Sequence, residues 1–242
     1  MQSVMTRTAT LRAPSGSMTD VFACTRAQIY YNSKRKPLAQ VKRETGCSHI
    51  INGYLFNGSF QPVGWTVIDG KVISRDAYPD WGISIGSDGK PQMLTDRGGS
   101  FLSGVPLLKN GAKLERSLTP DVARSAARTA VGWMPDGRIC LWCDKTSLTR
   151  GQLQNKLLDL GVTDALMLDG GGSTQGIFPN GKVASSRKVP TMVLFWEETH
   201  QEENTDLNWA GKSGILTEAQ LAEPEKAVTR RELAEILHRL QK

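Results

Sequence analysis

The stretch TAVGWMPDGRICLWC, residues 129–143, has the pattern of two β-strands joined by a tight turn. Asp136-Gly137 separates its two apolar runs, and this pair readily adopts the left-handed backbone that a two-residue hairpin loop requires. Two other stretches, VGWTVIDGKVIS and WGISIGSDGKPQML, repeat the pattern, with turns at Asp69-Gly70 and Asp88-Gly89. Three such hairpins predict a sheet that is largely antiparallel.

One segment changes the period from strand to helix. In TRGQLQNKLLDL, residues 149–160, leucines recur at helical spacing, Thr149 can cap the start and Gly161 can end the helix. Apolar runs predict further strands at 21–31, 49–56, 165–168 and 188–196. Hairpins followed by a strand, a helix and a strand predict an α+β fold, with a mixed, largely antiparallel sheet and a few packed helices.

Composition and charge exclude several classes of protein. Apolar residues make up 39% of the 242-residue chain, which also has 24 glycines, as is typical of globular rather than disordered, collagen-like or coiled-coil proteins. No apolar run approaches the ~18 residues of a membrane span. The net charge of +6 suits an anionic partner. No nucleic-acid-binding motif accompanies that charge, so nucleic acid is not an expected partner.

The four cysteines leave two interpretations open. Cys140 and Cys143 have the spacing of one arm of a zinc site, which Cys24 and Cys47 would have to complete. However, Cys140 and Cys143 lie in an apolar strand, where side chains three residues apart point to opposite faces. We therefore favour buried free thiols and predict no metal site.

Shifts in composition divide the chain. They predict a flexible arm at 1–18, a main domain at 19–197, a linker at 198–207 and a small helical appendage at 208–242. In the appendage, Thr229 and Glu232 have the spacing of a helix-capping box.

The richest candidate for chemistry is LMLDGGGSTQ, residues 166–175. Glycines directly after a strand let the backbone turn sharply and approach a ligand, and their N–H groups can form an anion-binding nest. Asp169 stands at the end of the strand. The candidate contacts that follow it are Gly170, Gly171, Gly172, Ser173 and Thr174. The alternative is a flexible turn in which the aspartate caps local N–H groups.

Two other positions place polar groups in apolar strands. Asn52-Gly53 interrupts one strand, where a side-chain amide and a bare backbone suit a bound ligand and a β-bulge is the alternative. Arg128-Thr129 opens another strand. The arginine supplies a rigid fork of donors suited to phosphate, and a surface arginine is the alternative.

Taken in order, three blocks resemble the phosphodiester glycosidase family over residues 20–197. The family's N-G-x-F-F, R-T-A and L-D-G-G-G-S patterns stand here as residues 52–56, 128–130 and 168–173. The one departure is Leu55, where the pattern has a phenylalanine.

The resemblance implies hydrolysis of a sugar joined through its anomeric carbon to a phosphodiester, giving a free sugar and a phosphomonoester. It implies that Arg128 holds the phosphate, that Asp169 is nucleophile, base or charge stabiliser, and that Asn52 and Ser173 orient the substrate. Gly53, Thr129 and the glycine turn would complete the contacts with an anionic sugar phosphate or cell-wall glycan. No cofactor is implied, although a divalent cation could lie beside Asp169.

The tail carries a second resemblance, to a single S-layer homology motif, through Trp209-Ala210 and VTRRELA at residues 228–234. It implies binding of cell-wall polysaccharide and a Gram-positive bacterial or phage source. Alternatively, these helices pack on the main domain or form a homo-oligomer contact. The first twenty residues lack an apolar signal segment, which favours a cytoplasmic or phage-associated protein. The competing function is a non-catalytic carbohydrate- or wall-binding component that retains the fold.

Overall fold

Three antiparallel sheets make up the fold of residues 16–76 and 80–197, the parts of the chain that this computed structural model describes. The prediction of a largely antiparallel arrangement is confirmed. The fold is richer in strand than the predicted α+β architecture suggests, because the α-helices of the described residues have only four to ten residues each.

The central sheet has six strands. In spatial order they are β1 (Ser17–Phe22), β12 (Ile139–Leu148), β11 (Ala126–Trp133), β13 (Asp164–Met167), β9 (Val105–Lys109) and β10 (Ala112–Lys113). Strands β11 and β12 form the hairpin predicted at Asp136-Gly137, and Gly137 has the expected positive φ of 84°. Strand β13 pairs with β11 and leads into the glycine-rich segment.

The second sheet has five strands. They are β15 (Gly181–Val183), β14 (Gly176–Phe178), β3 (His49–Asn52), β16 (Thr191–Glu197) and β2 (Cys24–Tyr31). The predicted single strand at 21–31 is wrong, because the chain leaves the central sheet after Phe22 and enters the second sheet at Cys24. Strand-forming residues on both sides of Ala23 suit either sheet, so local composition gives no sign of the change.

The third sheet holds the other two predicted hairpins. Its strands are β5 (Lys71–Ser74), β4 (Thr66–Ile68), β8 (Ser100–Ser103), β6 (Gly82–Ile85) and β7 (Pro91–Leu94). Asp69 and Gly70 both have positive φ, 50° and 76°, as a two-residue turn of this type requires. Both hairpin predictions are confirmed.

Three α-helices lie in the described residues: α1 (Leu38–Thr45), α2 (Pro120–Ala123) and α3 (Arg150–Asp159). Helix α3 is the predicted one. The Thr149 hydroxyl accepts from the N–H of Gln152, and the Gln152 side chain accepts from the N–H of Thr149. Helix α1 was not predicted, because only Leu38 and Val41 of its eight residues are buried and the apolar signal is short.

A buried hydrogen-bonded pair of side chains joins the central and second sheets. Asp20 on β1 and His49 on β3 are almost wholly buried, and Oδ2 of the aspartate lies 3.0 Å from Nε2 of the histidine. The ring of Phe22 stacks on the imidazole at 3.8 Å, and the Ser48 hydroxyl lies 2.9 Å from its Nδ1. The pair therefore belongs to the packed core.

All four cysteines are free, and Cys47, Cys140 and Cys143 are buried, as the favoured interpretation predicts. Burial raises the pKa of Cys140 and of Cys143 to about 12. Among residues 16–76 and 80–197, no group of three metal-ligating side chains lies together.

No helix within the described ranges is long and apolar enough to cross a membrane. The segments 1–15 and 198–242 lie outside the described residues. They contain most of the predicted arm and all of the predicted linker and S-layer-like appendage. The first described strand begins at Ser17, within the segment predicted as the arm.

Candidate active site

The glycine-rich segment crosses from the central sheet to the second sheet. The N–H of Leu168 donates to the Thr129 carbonyl at 2.9 Å, and that of Asp169 donates to the Gly53 carbonyl at 3.1 Å. A Cβ on Gly170 would lie 2.5 Å from the Ala127 carbonyl oxygen, so only glycine allows this approach. The next three residues form a 3₁₀ turn that starts with Gly171 at φ 57°.

The three sequence blocks meet at the side chain of Asn52, which is wholly buried. Its Oδ1 accepts from the Thr129 hydroxyl at 2.8 Å and from the N–H of Gln175 at 3.0 Å. Its Nδ2 donates to the Asp169 carbonyl at 2.8 Å and to the Gly53 carbonyl at 3.0 Å. Four bonds fill the capacity of an amide. Asn52 therefore holds the three segments together and has no bond left for another molecule.

The carboxyl group of Asp169 is nearly buried, with 9% of the residue exposed. Burial raises its pKa above the usual range, against the opposing effects of the Ser173 hydroxyl, the Gly170 N–H and the positive charge of Arg187. A carboxyl group in such a setting changes protonation closer to neutral pH than an ordinary aspartate, which suits proton transfer.

Arg128 lies next to the glycine turn, and only 3% of the residue is exposed. It donates to the main-chain carbonyls of Leu148 at 3.0 Å, of Val122 at 3.3 Å and of Arg124. Burial lowers the pKa of Arg128, and the nearby charge of Arg124 lowers it further. Within the described residues, its hydrogen bonds go to carbonyls rather than to a carboxylate. A buried positive charge without an anionic partner favours binding of an anion.

Two exposed arginines flank the same turn. A Cβ on Gly171 would lie 3.4 Å from Nη2 of Arg124, and a Cβ on Gly172 would lie 3.4 Å from Cζ of Arg187. Nη1 of Arg187 is also 3.5 Å from the Ser173 hydroxyl. Both guanidinium groups therefore lie close to the main chain of the turn.

The main-chain N–H groups of Gly171 and Gly172 donate no hydrogen bond to the rest of the described chain. Gly172 is exposed, and Gly171 is partly so. Unpaired N–H groups and two neighbouring guanidinium groups give the surface of the turn strong donor character.

The model of the phosphodiester glycosidase family matches residues 45–196. This span covers more than half of the chain and contains all three sequence blocks. The chain belongs to the phosphodiester glycosidase family. Among curated proteins, none matches this sequence.

Solved structures share the fold of this phosphodiester glycosidase domain. One is the catalytic domain of zebrafish N-acetylglucosamine-1-phosphodiester α-N-acetylglucosaminidase, auto-inhibited by its pro-peptide, with a TM-score of 0.58 and 20% identity. That match covers 78% of this chain and 85% of the zebrafish chain. A hypothetical protein from Synechocystis gives a TM-score of 0.63 at 13% identity, over 78% of this chain and 61% of the other. At these identities the likeness shows the fold alone.

Several predicted contacts of the glycosidase domain are internal. Gly53 and Thr129 are buried and bonded to other parts of the protein, as Asn52 is. Thr174 is also buried, and its hydroxyl has no partner among the described residues. Ser173 is buried beside Asp169. The open surface of the site is formed by Gly170, Gly171 and Gly172 together with the flanking arginines.

Sequence reasoning missed Arg124 and Arg187. Arg124 stands four residues before Arg128, and this repeated arginine was an available signal. Arg187 follows Ser173 by fourteen residues in an unpatterned segment, SSRKVP, and reaches the turn only because the β14–β15 hairpin folds back.

Proposed function

We propose that this protein hydrolyses the bond between the anomeric carbon of a sugar and a phosphodiester, releasing the free sugar and a phosphomonoester. Family membership supports the reaction class. The observation that carries the proposal is a nearly buried carboxyl group, Asp169, beside a glycine turn that three arginines surround.

The phosphate would bind on the open face of the glycine turn. Arg124 and Arg187 would contact its oxygens, and the N–H groups of Gly171 and Gly172 would donate to them. The buried Arg128 would add positive charge near the phosphate and would hold the main chain of Arg124 in place by donating to its carbonyl. These donors would stabilise the negative charge that develops on the departing phosphate.

Asp169 would act in its ionised form next to the anomeric carbon. The bond from that carbon to the phosphate oxygen breaks, and its electron pair leaves with the phosphate, which needs little protonation to depart. Either the carboxylate attacks the carbon first and water later replaces it, or the carboxylate takes a proton from the attacking water. Both routes consume one water molecule. The anomeric configuration of the product separates them, since the first retains and the second inverts it.

Asn52 and Thr129 would be positioning residues rather than substrate contacts. Their mutual hydrogen bond and the bond from Asn52 to the Asp169 carbonyl fix the start of the turn. Ser173 would orient the Asp169 carboxyl group.

The test is release of phosphomonoester and free sugar from a panel of sugar-1-phosphodiesters, beginning with the methyl ester of N-acetylglucosamine 1-phosphate. We expect turnover by the wild-type chain and its loss in Asp169→Asn. The exposed Asp159→Asn, at the end of α3, is the matched control and should keep wild-type turnover. Binding of sugar phosphates with no turnover of any panel member would instead support the non-catalytic alternative.

A further inference from the structure

A cavity of about 180 Å³ lies next to the glycine turn. The cavity is formed by the start of α1, by β14 and by residues 182–188. The first two of these residues belong to β15, and the others belong to the loop that follows it. We call it the basic cavity, because its charged lining residues are all cationic: Lys36, Lys182, Arg187 and Lys188. Its volume is enough for a phosphate group, given that one molecule of liquid water occupies ~30 Å³.

The wall of the basic cavity is fixed to the candidate active site. The Gln175 side chain lines the cavity and donates to the Arg187 carbonyl at 2.8 Å. The Ser185 hydroxyl donates to the Gly172 carbonyl at 2.6 Å. Arg187 itself lines the cavity and also reaches Ser173 on the glycine turn. The cavity and the glycine turn are therefore joined through Arg187 and Ser185.

Charge in the basic cavity is only partly compensated. Lys36 pairs with Glu44 of α1, so its charge is largely neutralised. Lys182 and Lys188 are exposed and form no ion pair with another described residue. No acidic side chain is among the cavity's lining residues. The lining of the cavity therefore includes two lysines, Lys182 and Lys188, whose charge no described acidic residue neutralises.

We propose that the basic cavity binds a second phosphate group of the substrate, on the leaving-group side of the phosphodiester that is cleaved. This inference rests on the proposed function and narrows its substrate class to sugar-1-phosphodiesters whose leaving group carries a further phosphate. Arg187 then lies between the two phosphates, and Lys182 and Lys188 bind the outer one. Binding energy from the outer phosphate places the scissile bond against Asp169.

The first experiment measures binding without turnover. By calorimetry, the wild-type chain should bind propane-1,3-diol bisphosphate, the expected leaving group, at least tenfold more tightly than propyl phosphate. The double variant Lys182→Gln/Lys188→Gln should lose most of that preference. Lys71→Gln, an exposed lysine on β5 in the third sheet, should keep it. An equal affinity for both ligands, or a preference that survives in the double variant, would overturn the proposal.

The second experiment uses turnover, to separate this proposal from the reaction itself. Two esters of N-acetylglucosamine 1-phosphate are compared, the methyl ester and the 3-phosphopropyl ester. We expect kcat/KM to be at least tenfold higher for the second, and the ratio to fall towards one in Lys182→Gln/Lys188→Gln. Turnover of both esters at equal kcat/KM would refute the second-phosphate site and leave the reaction intact. No turnover, with the binding preference present, would refute the reaction and leave the anion site intact.

Discussion

Two regions of this molecule bury charged groups, and they do so in opposite ways. In the core between two sheets, Asp20 is matched with His49 at 3.0 Å, and an aromatic ring closes over the pair. At the glycine turn, Arg128 donates only to carbonyls among the described residues, and the charge that acts on the carboxyl group of Asp169 is that of the exposed Arg187. Removing one partner of a matched buried pair destabilises the fold, whereas a buried charge without an anionic partner favours the binding of an anionic ligand. The following substitutions separate these two roles.

The largest effect is expected from Asp169→Asn, which should lower kcat by about 10²–10⁴-fold, the usual contribution of a group that transfers a proton. The same variant should be more stable than the wild-type chain at neutral pH. Burial raises the pKa of Asp169, so folding favours its protonated form, and that stability is lost as the pH rises from 3.8 through the raised pKa. The amide of the Asp169→Asn variant does not ionise, so the variant loses no folding stability over that pH range.

Thermal unfolding of both chains between pH 4 and pH 8 checks this prediction. The gain in Tm of Asp169→Asn should grow with pH. A Tm that falls in parallel with kcat would make Asp169 a structural residue like Asp20.

The second prediction concerns the core pair. Asp20→Ala leaves the buried His49 without its partner and should lower the free energy of unfolding by about 3–5 kcal/mol, as the breaking of buried pairs generally does. Thr19→Ala, on the same strand but with a half-buried side chain, should stay within about 0.5 kcal/mol of the wild-type value. Denaturant titration measures both. The kcat per folded molecule of Asp20→Ala should stay unchanged, and a loss of kcat without a loss of stability would contradict the assignment.

The sequence predicted the hairpins and α3, because their signals are local. Asp136-Gly137 and Thr149 with Gln152 determine the backbone within a few residues of themselves. It also predicted which blocks carry the polar groups around the turn. The change of sheet at Ala23 could not be predicted, because it depends on which distant strand each half pairs with.

The roles of individual site residues were harder to predict for the same reason. An asparagine within an apolar strand indicates an unusual environment, but only the folded chain shows that all four hydrogen bonds of Asn52 are made within the protein. Arg187 gives no local signal, since its position follows from the path of a hairpin rather than from its neighbours in sequence.

The third prediction tests the open side of the site. Arg187→Gln should lower kcat/KM on a sugar-1-phosphodiester by about tenfold to a hundredfold, because a hydrogen bond to a charged group contributes about 1.5–3 kcal/mol. Its Tm should change little, since Arg187 is exposed. Arg75→Gln, another exposed arginine, is the control and should keep wild-type kcat/KM. Wild-type kcat/KM in Arg187→Gln would remove this residue from the phosphate site.

The smallest effect is a shift in pH dependence. The charge of Arg187 lowers the pKa of Asp169 and so partly offsets the effect of burial. Without that charge, the carboxyl group should hold its proton to a higher pH. The acid limb of the plot of kcat against pH should therefore lie at higher pH in Arg187→Gln than in the wild-type chain. Steady-state kcat between pH 4 and pH 9 measures the shift. A profile that stays in place while kcat/KM falls would mean that Arg187 binds phosphate without acting on the ionisation of Asp169, and a profile that moves to lower pH would contradict the stated sign.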